Sequence, residues 1–461
     1  MADSYSELVK RRLPQYVAAT AACMSGFTLG CGIGWSAVTV EILKDEYQID
    51  SFLVSVIASI FSVGAAVGIT IVPFLIDFIG RKWTMMALMP PMVLGWVFLM
   101  FANDVVALYI LGRIITGGCG GMLCVAAPLF VAEISEKEIR GTLGVFFQLL
   151  LVIGILYTYC TGFAQSILWI SLLCCLSSVL LVIIMLFIPE SPLFFMIKGR
   201  EDNARKAMRF FRGPNFDIEP EMSGFKEQAE QLKTAKPRFK SFLQKPILKS
   251  LGIAYGLMVI QQFSGINVMI FYGQTVFKST GVDMDPLLQL LAFAVVQVIS
   301  CVISASLIDK LGRKTLMIIS QAIMGICLVA VGIFYIFRNS NPDVAATIQW
   351  LPLTSICCYI AAYCLGVGPI PWAYMAEIFP TRYKGVATSS VAFLNWILAF
   401  LVTVTYQSAA EAFGEAAVMF CYAIVCGIGI AFVILCMYET KGKTLIQIQK
   451  DLGTFDLENV D

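Results

Sequence analysis

The stretch Ile76-Asp77-Phe78-Ile79-Gly80-Arg81-Lys82 closes one long apolar run, and Ile308-Asp309-Lys310-Leu311-Gly312-Arg313-Lys314 closes another. Acid, glycine and two bases recur at the same place relative to a hydrophobic segment. A second pair extends the repeat: Ala132-Glu133-Ile134 with Arg140-Gly141 follows one apolar run, and Ala376-Glu377-Ile378 with Lys384-Gly385 follows another. The second pair is spaced slightly wider than the first, which one longer intervening loop would absorb. The chain therefore reads as two copies of one unit.

The size of that unit follows from the apolar runs. A spanning helix needs about 20 apolar residues, and candidates lie near 16–38, 52–76, 83–101, 105–130, 142–162, 167–188, 249–271, 287–308, 315–337, 350–374, 386–406 and 416–437. These twelve form two groups of six, separated by a polar stretch rich in Lys, Arg, Glu and Pro. The expected architecture is an all-α membrane protein with twelve transmembrane helices in two six-helix bundles. Its parts are 1–197 (first bundle with an N-terminal tail), 198–248 (short helices outside the bilayer), 249–437 (second bundle) and 438–461 (C-terminal tail). Parallel six-span repeats mark transporters whose site lies near the bilayer midplane between the halves.

Composition excludes other classes. The chain has 461 residues, 59% of them hydrophobic and 14% charged, where soluble domains carry about a quarter charged. Its 32 basic and 31 acidic residues nearly cancel, so no nucleic-acid partner is expected. Histidine is absent, which removes imidazole metal sites and the usual proton shuttle near neutral pH. The 15 cysteines all sit in apolar stretches and read as packing residues; no metal, cofactor or enzymatic activity is expected. The polar start, MADSYSELVKRRLPQY, reads as a cytoplasmic tail and not as a cleavable signal. There is no Asn-x-Ser/Thr acceptor.

Basic residues set the orientation. One set of loops holds Lys10, Arg11, Arg12, Arg81, Lys82, Lys137, Arg140, the cluster between 198 and 249, Lys310, Arg313, Lys314, Arg382, Lys384, Lys441, Lys443 and Lys450. The opposite loops hold Lys44, Lys278 and Arg338. The positive-inside rule makes the first set, and both termini, cytoplasmic. On that face Asp77, Glu133, Asp309 and Glu377 can pair with Arg81, Arg140, Arg313 and Arg382, as a charge latch holding the bundles together until the cavity opens inward. The simpler reading is interfacial anchoring by arginines; the recurrence in both halves favours the latch.

Several further motifs occur in order: Gly112-Arg113 in span four, Pro189-Glu190-Ser191-Pro192 after span six, Gln261-Gln262-Phe263-Ser264-Gly265-Ile266-Asn267 in span seven, Gly366-Val367-Gly368-Pro369-Ile370-Pro371-Trp372 in span ten, Asn395-Trp396 in span eleven, and Glu439-Thr440-Lys441-Gly442-Lys443-Thr444 at the end. In these the chain resembles the sugar porter family of the major facilitator superfamily over nearly its whole length. Together with Gly34-Trp35-Ser36 and the short outer loops, it looks most like the insect facilitated trehalose transporter group and related glucose facilitators. The resemblance implies passage of a small sugar, trehalose or a hexose such as glucose, through a plasma-membrane protein in which a monomer suffices.

Sugars need neutral donors and acceptors and a flat apolar face, and the spans offer Gln148, Gln261, Gln262, Asn267, Gln297 and Asn395 with Trp372 and Trp396. Buried amides also glue helices together. Because Gln148, Gln261, Gln262, Asn267 and Asn395 coincide with sugar contacts of the family, binding is the favoured reading of the set; Gln297 stands where relatives often have Asn. Ser264-Gly265 allows a mid-span break, with Phe271 and Tyr272 closing over bound sugar, and Pro369 and Pro371 make span ten bendable. Such aromatics and prolines also serve as interface belt and packing kink; the resemblance favours gates.

Ion coupling needs an ionisable residue in the membrane, and no acid lies near mid-span. Where proton-coupled relatives carry Asp in span one, this chain has Gly32, leaving Arg113 without that partner. Uncoupled transport is the expectation; a proton symporter and a non-transporting sensor are the alternatives, the sensor disfavoured by short tails. Leu193, Tyr438 and Cys364 depart from the family pattern. Cys364 replaces an acidic contact of many glucose facilitators, which leaves disaccharides and other polyols open.

Overall fold

The computed structural model describes residues 2–214, 216–234, 244–379, 381–443 and 445–452, without the side chains of 2–10, 231–234, 305, 308, 309, 376, 381, 382, 445, 446 and 449. All regular structure among the described residues is helical. Within a bilayer no water can satisfy backbone groups, so apolar runs of this length close their hydrogen bonds internally.

Among the described residues, eleven helices are long and apolar enough to cross a membrane. The twelfth expected span, the seventh, is broken into Lys245–Phe263, Ile266–Phe271 and Gly273–Thr280. Gly265 turns the chain there at φ 89°, a conformation that only glycine adopts without cost. With it the chain makes two groups of six crossings. The first comprises Arg11–Asp45, Ser51–Ile79, Arg81–Met100, Val106–Ile134, Arg140–Ala164 and Ile167–Leu186. The second adds Pro286–Leu311, Arg313–Ser340, Trp350–Met375, Thr381–Phe413 and Glu415–Cys436 to the broken span. The helix of span one begins at Ala2, running through the segment expected to be a tail.

Within the first half, spans touch backbone to backbone. A Cβ on Gly117 of span four would lie 2.1 Å from the Phe61 carbonyl oxygen of span two, so dispersion between close helices replaces the missing hydrophobic drive. The halves meet along two seams, span two against span eleven and span five against span eight. The polar stretch folds into Glu201–Arg212 and Glu219–Thr234, which pack with Pro192–Ile197 just before it, joined by Leu193, Met196, Met208, Ile218 and Met222. Glu136, in the turn between spans four and five, ties these helices and the start of span one to the first half. It accepts hydrogen bonds from Arg12 Nε at 2.8 Å and Gln15 Nε2 at 3.0 Å. Gln15 also donates to the Phe211 carbonyl, and Arg212 to that of Ile134.

Candidate functional site

The opening repeat builds matching corners on the face that carries the chain ends. Gly80 and Gly312 turn at φ 100° and 89°, and a carboxylate fills the space beside each. Glu190 accepts from the backbone N–H of Lys82 at 3.0 Å and of Trp83 at 3.4 Å. Glu439 accepts from those of Arg313 at 3.0 Å and Lys314 at 3.1 Å. Each acid, from just after the sixth span of its half, satisfies the orphan donors starting the third. Burial pushes the Glu190 carboxyl above the usual carboxylate range, opposed by its backbone donors. Sequence reading quoted these glutamates without assigning them a role; their matching places after spans six and twelve were the available signal.

Beside these caps, Arg81 pairs with Glu133 at 2.9 Å and Arg313 with Glu377 at 3.0 Å. Ser191 also donates to Glu133, Arg140 donates to the Ser135 carbonyl, and Asp77 lines the cleft. The side chains of Asp309 and Arg382 lie outside the described residues. Both ion pairs close within one half, so among the described residues the expected latch fastens each bundle to itself. The reason is the cleft between the halves, a cavity of about 1070 Å³ that reaches Thr70 and Asp77 on one wall and Tyr255, Ser390 and Phe393 on the other. Among the described residues, the hydrogen bonds that do cross between halves lie on the opposite face. One is from the Tyr159 hydroxyl to the Ile270 carbonyl at 2.8 Å, beside the fully buried Phe271 and Tyr272.

Between these faces a second cavity, about 370 Å³, is lined by Gln148 of span five, Gln297 and Cys301 of span eight, and Cys364, Pro369 and Trp372 of span ten. Trp372 remains 40% exposed. Span ten breaks between Trp350–Leu365 and Ile370–Ile378, with Pro371 in the first turn of the second piece, and the break frees carbonyls. Gln261 Nε2 takes two of them, Val367 at 2.7 Å and Gly368 at 3.0 Å, while its Oε1 accepts from Asn395 Nδ2 at 3.0 Å. Asn267 donates to Gln262, and Trp396 stacks edge-on against Phe61 across the seam. Of the eight sequence candidates, Gln148, Gln297 and Trp372 face the cavity, Gln261 and Asn395 brace the break in span ten, Gln262 and Asn267 bond each other, and Trp396 lies at the seam. Gln297 Oε1 and Trp396 Nε1 are buried with no hydrogen-bond partner among the described residues. Cys301, which sequence reading took only as packing, also lines this cavity.

Arg113 is fully buried in span four. It donates to Ser36 Oγ at 2.7 Å and to the carbonyls of Gly32 at 2.6 Å, Ile57 and Ala58 at 3.3 Å. Its guanidinium also lies over the Phe61 ring at 4.5 Å and the Trp35 ring at 5.2 Å. Carbonyl dipoles and π faces surround it, which is how a desolvated cation is held without a counter-charge.

Comparison with known proteins agrees with this architecture. A facilitated trehalose transporter of Polypedilum vanderplanki is 35% identical over 95% of this chain and 88% of its own length. One of Bombyx mori is 33% identical over 95% and 86%. Among solved structures, the proton:xylose symporter XylE bound to 6-bromo-6-deoxy-D-glucose superposes with a TM-score of 0.77 at 22% identity, over 96% of this chain and all of the other. The inward-open form of the xylose transporter from E. coli gives 0.79 at 22% identity, over 94% and 98%. The model of the sugar (and other) transporter family matches residues 14–452, and the chain belongs to that family.

Proposed function

We propose that this protein carries trehalose, or a hexose such as glucose, down its gradient by alternating access, uncoupled to ions. The relatives named as facilitated trehalose transporters support the substrate class. The observation that carries the uncoupled reading is Arg113, whose donors go to Ser36 and to backbone carbonyls including that of Gly32. A proton couple built on this arginine would need a carboxylate that titrates against it, and its hydrogen-bond partners are a serine hydroxyl and backbone carbonyls.

In this reading the chain ends are cytoplasmic, as the loop charges favour, and the cleft opens to the cytoplasm while the halves meet outside. The halves 1–197 and 249–437 rock about the seams. Gln148, Gln297 and Trp372 meet the sugar in the smaller cavity, and its hydroxyls supply the partner that Gln297 Oε1 lacks, while Trp396 joins the site from the seam as it closes. Gln261, Asn395, Gln262 and Asn267 hold the broken backbone of spans seven and ten in place and exchange those bonds for sugar hydroxyls as the site closes. Phe271 and Tyr272 gate the outer side, and Pro369 and Pro371 let span ten bend. The protein works in the plasma membrane.

The test is zero-trans uptake of labelled trehalose and glucose at mildly acidic and neutral external pH, with sodium replaced in parallel. Saturable uptake indifferent to both ions, halting at equal concentrations, is the expected result. Accumulation above the outside level would overturn the uncoupled reading.

A further inference from the structure

The face opposite the chain ends is poor in basic residues, yet two of them join the halves there. Glu41, near the end of span one, is largely buried and takes two hydrogen bonds from the other half, from Thr275 Oγ1 and from Lys278 Nζ, each at 2.6 Å. One turn further, Asp45 accepts from the same ammonium at 3.1 Å. Lys44, between them in sequence, donates to Gln407 of span eleven at 2.8 Å, and Gln407 donates in turn to Glu411. Thr275 and Lys278 both belong to Gly273–Thr280, the last piece of the broken seventh span. Among the described residues, every ion pair between the two halves belongs to this cluster.

We propose that Glu41, with Lys278 and Thr275, is a gating latch on this face, whose breaking is the electrostatic cost of opening toward it. The inference rests on the alternating-access reading but not on the identity of the sugar. The Glu41 carboxylate is only 12% exposed and takes a cation and a hydroxyl at 2.6 Å, so separating the halves must break both bonds and rehydrate that charge. Span seven is the natural lever, since the breaks at Gly265 and Tyr272 leave Gly273–Thr280 joined to the rest by short turns. On the chain-end face the ion pairs of each corner remain intact with the cleft open, so they impose no matching cost there. The two faces are therefore unequal, and the empty carrier rests open on the side of its chain ends.

The bland alternative is an exposed ion pair of no consequence, since Lys278 is half exposed and such pairs often contribute little. Hydrogen–deuterium exchange on the purified full chain in lipid nanodiscs, without sugar, separates the two. Glu41→Gln and Lys278→Gln should each speed backbone exchange in 270–280 and slow it in 385–394, which borders the open cleft. The state populations should shift roughly fivefold, the size of one modest ion pair. The charge exchange Glu41→Lys with Lys278→Glu should restore the original pattern. Lys278→Gln removes an exposed side chain and keeps the test alive should Glu41→Gln not fold. Exchange in both regions unchanged in a folded single variant would overturn the latch. So would faster exchange throughout that the charge exchange fails to reverse.

Discussion

The two halves descend from one repeated pattern yet behave differently where they border the cavities. In the first half, spans two and four touch backbone to backbone, and Arg113, fully buried within span four, is enclosed by carbonyls and rings. In the second half, spans seven and ten are interrupted at Gly265 and at 366–369, and amide side chains take up the freed carbonyls. Seven of the eight candidate sugar contacts, all but Gln148, belong to that half. The corners differ as well. Arg81 and Glu133 are 5% and 6% exposed, and Ser191 adds a bond; Arg313 and Glu377 are 17% and 20% exposed. The repeat thus preserved a scaffold in both halves, while the interrupted spans and most of the candidate amides lie in one of them.

The largest effect expected from breaking this contrast is on transport. Gln261→Ala and Trp372→Ala should abolish uptake of labelled sugar while surface expression stays near that of the unaltered chain; Trp372→Ala should also keep the melting temperature, and Gln261→Ala should lower stability by about 1–3 kcal/mol through the carbonyls it leaves unpaired. Normal uptake by either would mean that the second half does not carry the site. On stability, Arg81→Ala should cost about 3–5 kcal/mol, because it strands the buried carboxylate of Glu133; thermal unfolding of the detergent-purified protein measures this. Ser191→Ala removes one hydrogen bond to that carboxylate and should cost about 1.5–3 kcal/mol in the same assay. Arg313→Ala, at the more open corner, should cost about 1 kcal/mol, and equal losses for Arg81→Ala and Arg313→Ala would erase the difference between the corners. Smallest of all, Thr440→Val removes a hydroxyl that bonds nothing among the described residues and should change stability by less than about 1 kcal/mol.

Much of this was legible in the chain. Apolar runs long enough to span, their grouping by six, and the recurrence of Asp77-to-Lys82 at Asp309-to-Lys314 led directly to two bundles. The break at Ser264-Gly265 could be read as well, since glycine in mid-span next to polar amides leaves little else to expect. Pairing was harder. The acids and bases of the chain-end face could be seen to match in sign, but sign does not say whether Arg81 reaches Glu133 beside it or an acid across the cleft. Lys44 and Lys278 stood out as rare basic residues of the opposite loops, yet nothing local linked Lys278 to Glu41, more than two hundred residues earlier. Gln261 could be nominated as a sugar contact, whereas its bonds to Val367 and Gly368 depend on how span ten unwinds.

Chain-local physics, the cost of burying charge and unsatisfied backbone in lipid, was enough to determine the number of helices, their grouping and the residue types suited to a neutral, hydroxyl-rich ligand. Which face is closed, which partner each charge takes and which amides look into the cavity were decided by the packing of two rigid halves. Such contacts join segments far apart in sequence, and their strength depends on distances that exist only once the halves have met.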